Sequence, residues 1–293
     1  MRFDLDRYAA AARRLDLTGI DFDAFHHAPL DGDSLRCLRY MHDVEHHTVC
    51  YLRDLLVTPA HRDPDVTTFL SVWNYEELWH GDALGRVLQA HGEGAGTPRI
   101  ARVRRGLGRR DRLAPALHAL GAAVAGEAFG AVHMTWGAVN EWTTQAGYAR
   151  LAERAGHPVL TELLRRIMRQ EGRHVAFYAG EAERRLAASR RARRIVRAAL
   201  THLWRPVGAG VMPAAEVRFL VGTLFAGDDG HTAARSLDDR IGRLPGLAGL
   251  RLVSGVVDRT AAAVPRSASA RAAAASPVAG SRGAEVSGVR PAV

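Results

Sequence analysis

A chain of 293 residues with 47% apolar composition can build one large core plus an accessory part. All 40 basic residues are Arg, and a net charge of +9 favours acidic or anionic partners. Cys37 and Cys50 fall thirteen residues apart on one predicted helix, about 20 Å along its axis, which excludes a disulfide framework.

Ala, Leu, Arg and Glu dominate and strand-like alternation is scarce, so the expected fold is all-α. The N-terminal MRFDLDRYAAAARRLDL has no apolar signal core, so residues 1–29 read as an arm and the chain as cytoplasmic. A first helix is expected from about Asp33, its N-cap, to Thr58. TPAHRDP breaks it, and Pro64 opens a second that lasts to about His91. HGEGAGTPR is a loop, followed by a basic segment to Arg112. A third helix occupies roughly 114 to 154. Its weakly polar part, Ala116 to Val139, carries Glu127 and His133 and reads as a buried helix, not a membrane span. Gly156-His157-Pro158 leads into a fourth helix ending near Ala188. Residues 30–188 thus form a four-helix core, 189–262 accessory helices, and 263–293, rich in Ala, Ser, Gly, Arg and Pro, a disordered tail.

The apolar stripes of these helices are interrupted by polar residues. On the second helix Val66, Phe69, Leu70, Trp73, Leu84, Val87 and Leu88 face inward, and Glu77 and His80 fill the gap. On the fourth, Leu160, Leu163, Leu164, Ile167, Val175 and Tyr178 leave a gap holding Glu171 and His174. The first helix carries Glu45 amid Leu35, Leu38, Met41, Leu52 and Leu55. A buried carboxylate is costly unless it is paired, protonated or bound to a metal. With 13 Glu and 14 His, about 0.6 E-x-x-H matches arise by chance, so spacing alone decides little.

Depth adds the specificity. Glu45 and Glu77 are symmetric about residue 61, inside the first break, and Glu141 and Glu171 about Gly156, inside the second. Each hairpin then supplies one lone Glu and one Glu-x-x-His pair at one level. That is the donor set of dinuclear carboxylate bundles, suited to two Fe ions, with Mn possible. Glu127 lies on nearly the face of Glu141 but about 21 Å away along the axis, so it is expected to cap a polar cavity or pair with an Arg. His46 and His47 point about 100° and more away from Glu45, toward other helices or water. Glu76, rotated equally from Glu77, stands at most behind a ligand. Trp79, Trp142, His118 and His133 read as structural.

Trp73-Asn-Tyr-Glu76-Glu77-Leu-Trp-His80-Gly81-Asp82-Ala-Leu84 resembles the W-x-x-E-E-x-x-H-G-D-x-L motif of the soluble acyl-carrier-protein desaturases, members of the ferritin-like superfamily. Glu141-Trp-Thr-Thr144 is similar to that family's third-helix Glu followed by Thr. Gln170-Glu171-Gly-Arg173-His174 is similar to its D-E-x-R-H. The resemblance covers about residues 33 to 186 and implies a ferritin-like four-helix bundle. It further implies Glu77 and Glu171 as bridging ligands, Glu45, Glu141, His80 and His174 as terminal ones, and Thr144 beside the dioxygen. The activity implied is O2-dependent desaturation or hydroxylation of an acyl chain, free or on an acidic acyl carrier protein, with a ferredoxin-type electron donor. A homodimer is compatible with it.

The chain departs from the family where Gln170 replaces Asp and where residues beyond 186 are unmatched. The alternatives are a di-iron N-oxygenase of an amine, against which Ile167 stands where such enzymes carry a further His, and a non-catalytic ferritin-like iron-binding protein. The Arg clusters 99–112 and 184–197 also allow a nucleic-acid-binding reading, but it leaves the buried carboxylates unexplained.

Overall fold

The computed structural model describes residues 3–263, and among them every regular element is helical. In chain order these are α1 (Leu5–Ala10), α2 (Ala24–His27), α3 (Gly32–Glu45), α4 (Thr48–Leu56), α5 (Pro64–Ala90), α6 (Gly96–Gly106) and α7 (Gly108–Ala125). Then follow α8 (Phe129–Ala155), α9 (Pro158–Ala188), α10 (Arg190–Leu203), α11 (Ala214–Leu224), α12 (Gly227–Gly242) and α13 (Val253–Ala263). The expected tail falls on residues outside those described, except Ala263, which closes α13.

The long helices start and stop where side chains satisfy their ends. Asp63 accepts from the N–H groups of Asp65 and Val66 at 3.1 and 3.2 Å, and Pro64 supplies the first helical residue of α5. Gly156 ends α8 in the left-handed region at φ 57°, a conformation that costs a side chain dearly, and His157 and Pro158 open α9 one residue later. So short a connection lays α8 and α9 against each other along their length, while α5 packs on α3 and both pairs meet. A Cβ at Gly137 would overlap the Tyr178 ring, which is how closely α8 approaches α9 there. Val66, Phe69, Leu70, Leu84, Val87, Leu88, Leu160, Leu163, Leu164 and Ile167 are buried as their stripes predict; Val175 is half-buried, and Phe177 takes the buried place.

Several boundaries differ from expectation. The first helix is two: α3 is capped by Asp31, not Asp33, and ends at Glu45, where His46 and His47 turn the chain and the Thr48 hydroxyl donates to the Glu45 carbonyl at 2.8 Å. The basic segment is helical, formed by α6 and the start of α7, and α6 takes in Gly96 to Arg99 of the expected loop. The third helix is likewise two, interrupted at Gly126 (φ 58°) and a short 3₁₀ turn. Stretch Asp111–Ala155 is long and apolar enough to cross a membrane, yet its two halves have different surroundings. The α8 part is core, whereas Leu113, Leu117, Leu120 and Val124 of α7 are exposed, so the expected burial fails there. The cause is that α7 packs on α4 through its polar side, Asp111 and His118 meeting Arg53 and Asp54.

The arm is not a loose extension. α1 packs on α5 and buries Tyr8 against Phe69. The C-terminal helices α10, α11 and α12 lie against α3, α8 and α9, and α13 packs on α11 and α12.

Candidate metal centre

α3, α5, α8 and α9 each bring acidic groups to one buried point. Donor atoms of Glu45, Glu77, His80 and Glu171 lie within 4.8 Å of one another, and so do those of Glu77, Glu141, Glu171 and His174. Glu77 and Glu171 belong to both groups, which is the placement a bridging carboxylate requires. All six residues are 6% exposed or less. Thr144 stands half-buried on α8 and, with Glu45, is among the residues lining an apolar cavity. Glu127 is exposed on the turn after α7, and among the described residues it makes no ion pair, so neither of its expected roles holds.

The imidazoles are aimed. His80 Nδ1 faces Glu171 at 3.2 Å and Glu77 at 3.6 Å, and His174 Nδ1 faces Glu171 at 2.8 Å and Glu77 at 3.2 Å. Their outer Nε2 atoms are taken by Gln170 and Glu76, each at 2.9 Å. Outer hydrogen bonds of this kind fix the ring and direct the other nitrogen inward. Glu76 is fully buried and also accepts from Arg173 at 2.6 Å and from the Tyr8 hydroxyl at 3.1 Å. Trp73 Nε1 donates to Glu141 at 2.9 Å, and the Tyr148 hydroxyl donates to Glu45.

Charge follows from this crowding. Burial and the neighbouring Glu77 push the Glu45 carboxyl well above its usual range, and burial with Glu171 does the same to Glu141. For Glu171 burial is outweighed by His174 and His80, which hold it well below that range. Glu77 is lowered too, by hydrogen bonds from Glu45, His174 and His80 against its burial and Glu171. His80 overcomes its burial through Glu171 and Glu77 and rises to about 10, and His174 rises well above its ordinary value. The crowding thus favours the charged forms of Glu77, Glu171, His80 and His174 and the neutral forms of Glu45 and Glu141.

The donors fit a pair of divalent cations. Four carboxylates neutralise two such ions, and oxygen with imidazole nitrogen suits iron or manganese. His80 Nδ1 and Glu171 Oε1 are buried and 3.2 Å apart, yet neither atom makes a well-aligned hydrogen bond, which leaves both available to a cation.

Other polar residues are set apart. His46 Nε2 is buried without a partner, its ring so close to α5 that a Cβ at Gly81 would come within 2.6 Å. His47, Cys50 and Asp111 also converge, but Arg53 holds both Asp111 oxygens, at 3.0 and 3.2 Å.

Glu76 stands behind a ligand, the most the sequence allowed it, whereas Tyr8, Trp73 and Tyr148 have roles the motif reading did not assign. Helical phase could have signalled two of them: Trp73 is four residues before Glu77, and Tyr148 seven after Glu141.

An apolar cavity of about 80 Å³ reaches the cluster from one side. Met41, Val44 and Glu45 of α3, Thr144 and Tyr148 of α8, and Leu224 at the end of α11 are among its walls, with α13 closing it. Comparison of the chain with protein-family models, curated proteins and solved structures finds no match.

Proposed function

We propose that the chain is a ferritin-like di-iron protein, its four-helix bundle formed by α3, α5, α8 and α9, acting as an O2-dependent oxidoreductase on an unactivated C–H bond. The most specific form of this reading is a desaturase or hydroxylase of an acyl chain, free or carried by an acidic acyl carrier protein, with a ferredoxin-type donor. Two Fe ions would be held by Glu45, Glu77, His80, Glu141, Glu171 and His174, with Mn as the other hard occupant.

The observation that carries the reading is the apolar cavity ending on Glu45. A storage site needs a polar path for ions, whereas the lining of Met41, Val44 and Leu224 is apolar, and at about 80 Å³ the space suits a short hydrocarbon segment and not a whole chain. When bound, the iron pair supplies the reduction of O2 that such a C–H bond requires. The chain's own residues orient and shield. Tyr148 pins Glu45 by its hydroxyl, and the cavity walls offer apolar contact beside that carboxylate. Thr144 offers a hydroxyl on the cavity wall that can hold or pass a proton at Oγ1.

The test is anaerobic Fe(II) loading of the full chain, read by metal analysis, Mössbauer spectra and pH change. About two irons per chain are expected. Loading should release protons, because the upward-shifted Glu45, Glu141, His80 and His174 side chains bind metal only in their deprotonated forms, so apparent affinity rises with pH. Reduced protein given O2 and acyl chains should yield a product lacking two hydrogens or gaining one oxygen. A folded chain that takes up no iron overturns the reading.

A further inference from the structure

α7 presents an apolar stripe that no described residue covers. Leu113, Leu117, Leu120 and Val124 are 58%, 63%, 63% and 77% exposed. At 100° per residue they share one narrow sector of the helix, and Arg109 continues it one turn toward the N-terminus. The opposite side is occupied: Arg53 of α4 holds Asp111, Asp54 lies 3.7 Å from His118, and Ala122 and Ala125 are buried.

The stripe sits in a basic segment. Residues 96–125 contain seven Arg and a single acid, Asp111, already paired with Arg53. Arg102, Arg105, Arg109 and Arg112 are exposed.

The geometry points to an anionic lipid surface as the occupant. α7 lies along it with Leu113, Leu117, Leu120 and Val124 at the acyl boundary and the adjoining Arg side chains at the phosphates. α7 rests on the bilayer and does not cross it, because one side is packed on α4 and Gly126 breaks the helix before α8 enters the core.

Other occupants meet only half of the surface. An acidic protein would match the Arg but has no need of four exposed aliphatic residues. A second copy would bring two Arg-rich segments together, with Glu127 the one acid near the far end. Residues 264–293 contain four Arg, one Glu and no Leu, Ile, Met or aromatic residue, so they offer neither opposite charge nor large apolar groups.

Sedimentation of the full chain with phosphatidylcholine vesicles, with and without roughly a quarter phosphatidylglycerol, tests this. Binding is expected with the anionic vesicles only, and should be lost in roughly 0.5 M salt. The pair Leu117→Asp and Leu120→Asp should lower it about tenfold or more, and the pair Arg109→Glu and Arg112→Glu should also weaken it. Helix content by circular dichroism should not change, since these side chains are exposed. The proposal fails if wild type stays in the supernatant, or if the double-Asp variant binds as wild type does. It also fails if light scattering shows a dimer that Leu117→Asp dissociates, because a second copy then covers the stripe.

Discussion

The two histidine sides of the candidate metal centre are built to one plan and differ at one position. Glu76 on α5 holds the outer nitrogen of His174 on α9, and Gln170 on α9 holds that of His80 on α5, both at 2.9 Å. Each outer partner immediately precedes the Glu of its own E-x-x-H pair. One is a carboxylate, supported by Arg173 and Tyr8; the other is an amide whose nitrogen donates to the Arg13 carbonyl at 3.3 Å. A carboxylate behind an imidazole raises its basicity as a ligand more than a neutral amide does. The cavity reaches Glu45, which belongs to the His80 side, while Glu141 on the His174 side is held by Trp73. On the proposed two-metal reading, the position backed by the amide of Gln170 would be the one beside the apolar cavity.

The comparison presupposes that both sides share Glu77 and Glu171, and the largest effect tests that. Glu77→Ala or Glu171→Ala should leave almost no metal after gel filtration. Glu45→Ala and Glu141→Ala should each leave about one ion of the two. Glu127→Ala should change nothing. Retention of both ions in Glu171→Ala would show that the two groups of donors are not joined.

The common level of the four glutamates was legible in the sequence because depth in a hairpin is arithmetic, whereas the shared position of Glu77 and Glu171 came only from the family resemblance. The midpoint of Glu45 and Glu77 falls in the 3₁₀ turn Pro59–Arg62, and that of Glu141 and Glu171 on the C-cap Gly156. Packing of the α5 and α9 stripes followed equally from period. What stayed hidden depends on contacts distant in sequence: Glu76 with His174, 98 residues on, and Tyr8 with Glu76. The exposure of α7 was hidden for another reason. Its Leu and Ala content reads as core, and only the polar packing against α4 turns the stripe outward.

Exchanging the outer partners should invert the difference. Glu76→Gln is expected to weaken the His174-side ion about 10- to 100-fold, and Gln170→Glu to strengthen the His80-side ion. Co(II) titration followed by its visible absorption would resolve two steps in wild type and bring them together in either variant. In the metal-free chain Gln170→Glu should also raise His80 beyond its wild-type value of about 10, visible by NMR. The sign follows from linkage. His80 is raised above its ordinary 6.5, so the stability it adds is complete below that pH and lost as pH climbs through about 10. Unchanged steps in both variants would mean the outer partners only position the rings.

The smallest effect isolates one hydrogen bond. Tyr8 is buried on the N-terminal arm, its ring against Phe69 and edge-on to Phe3 and His174, and its hydroxyl reaches Glu76 at 3.1 Å. Tyr8→Phe keeps the ring and removes the donor, so α1 should remain docked. Arg173 and His174 still satisfy Glu76, and the loss is that of one hydrogen bond to a charged group, about 1.5 to 3 kcal/mol at most. Because Glu76 then carries more uncompensated negative charge, it pulls harder on the His174 proton. Metal on that side should be held no less tightly, while the apo chain melts earlier. Lower affinity on the His80 side in this variant would show instead that the arm acts on both sides at once, through the backbone at Arg13 that receives Gln170.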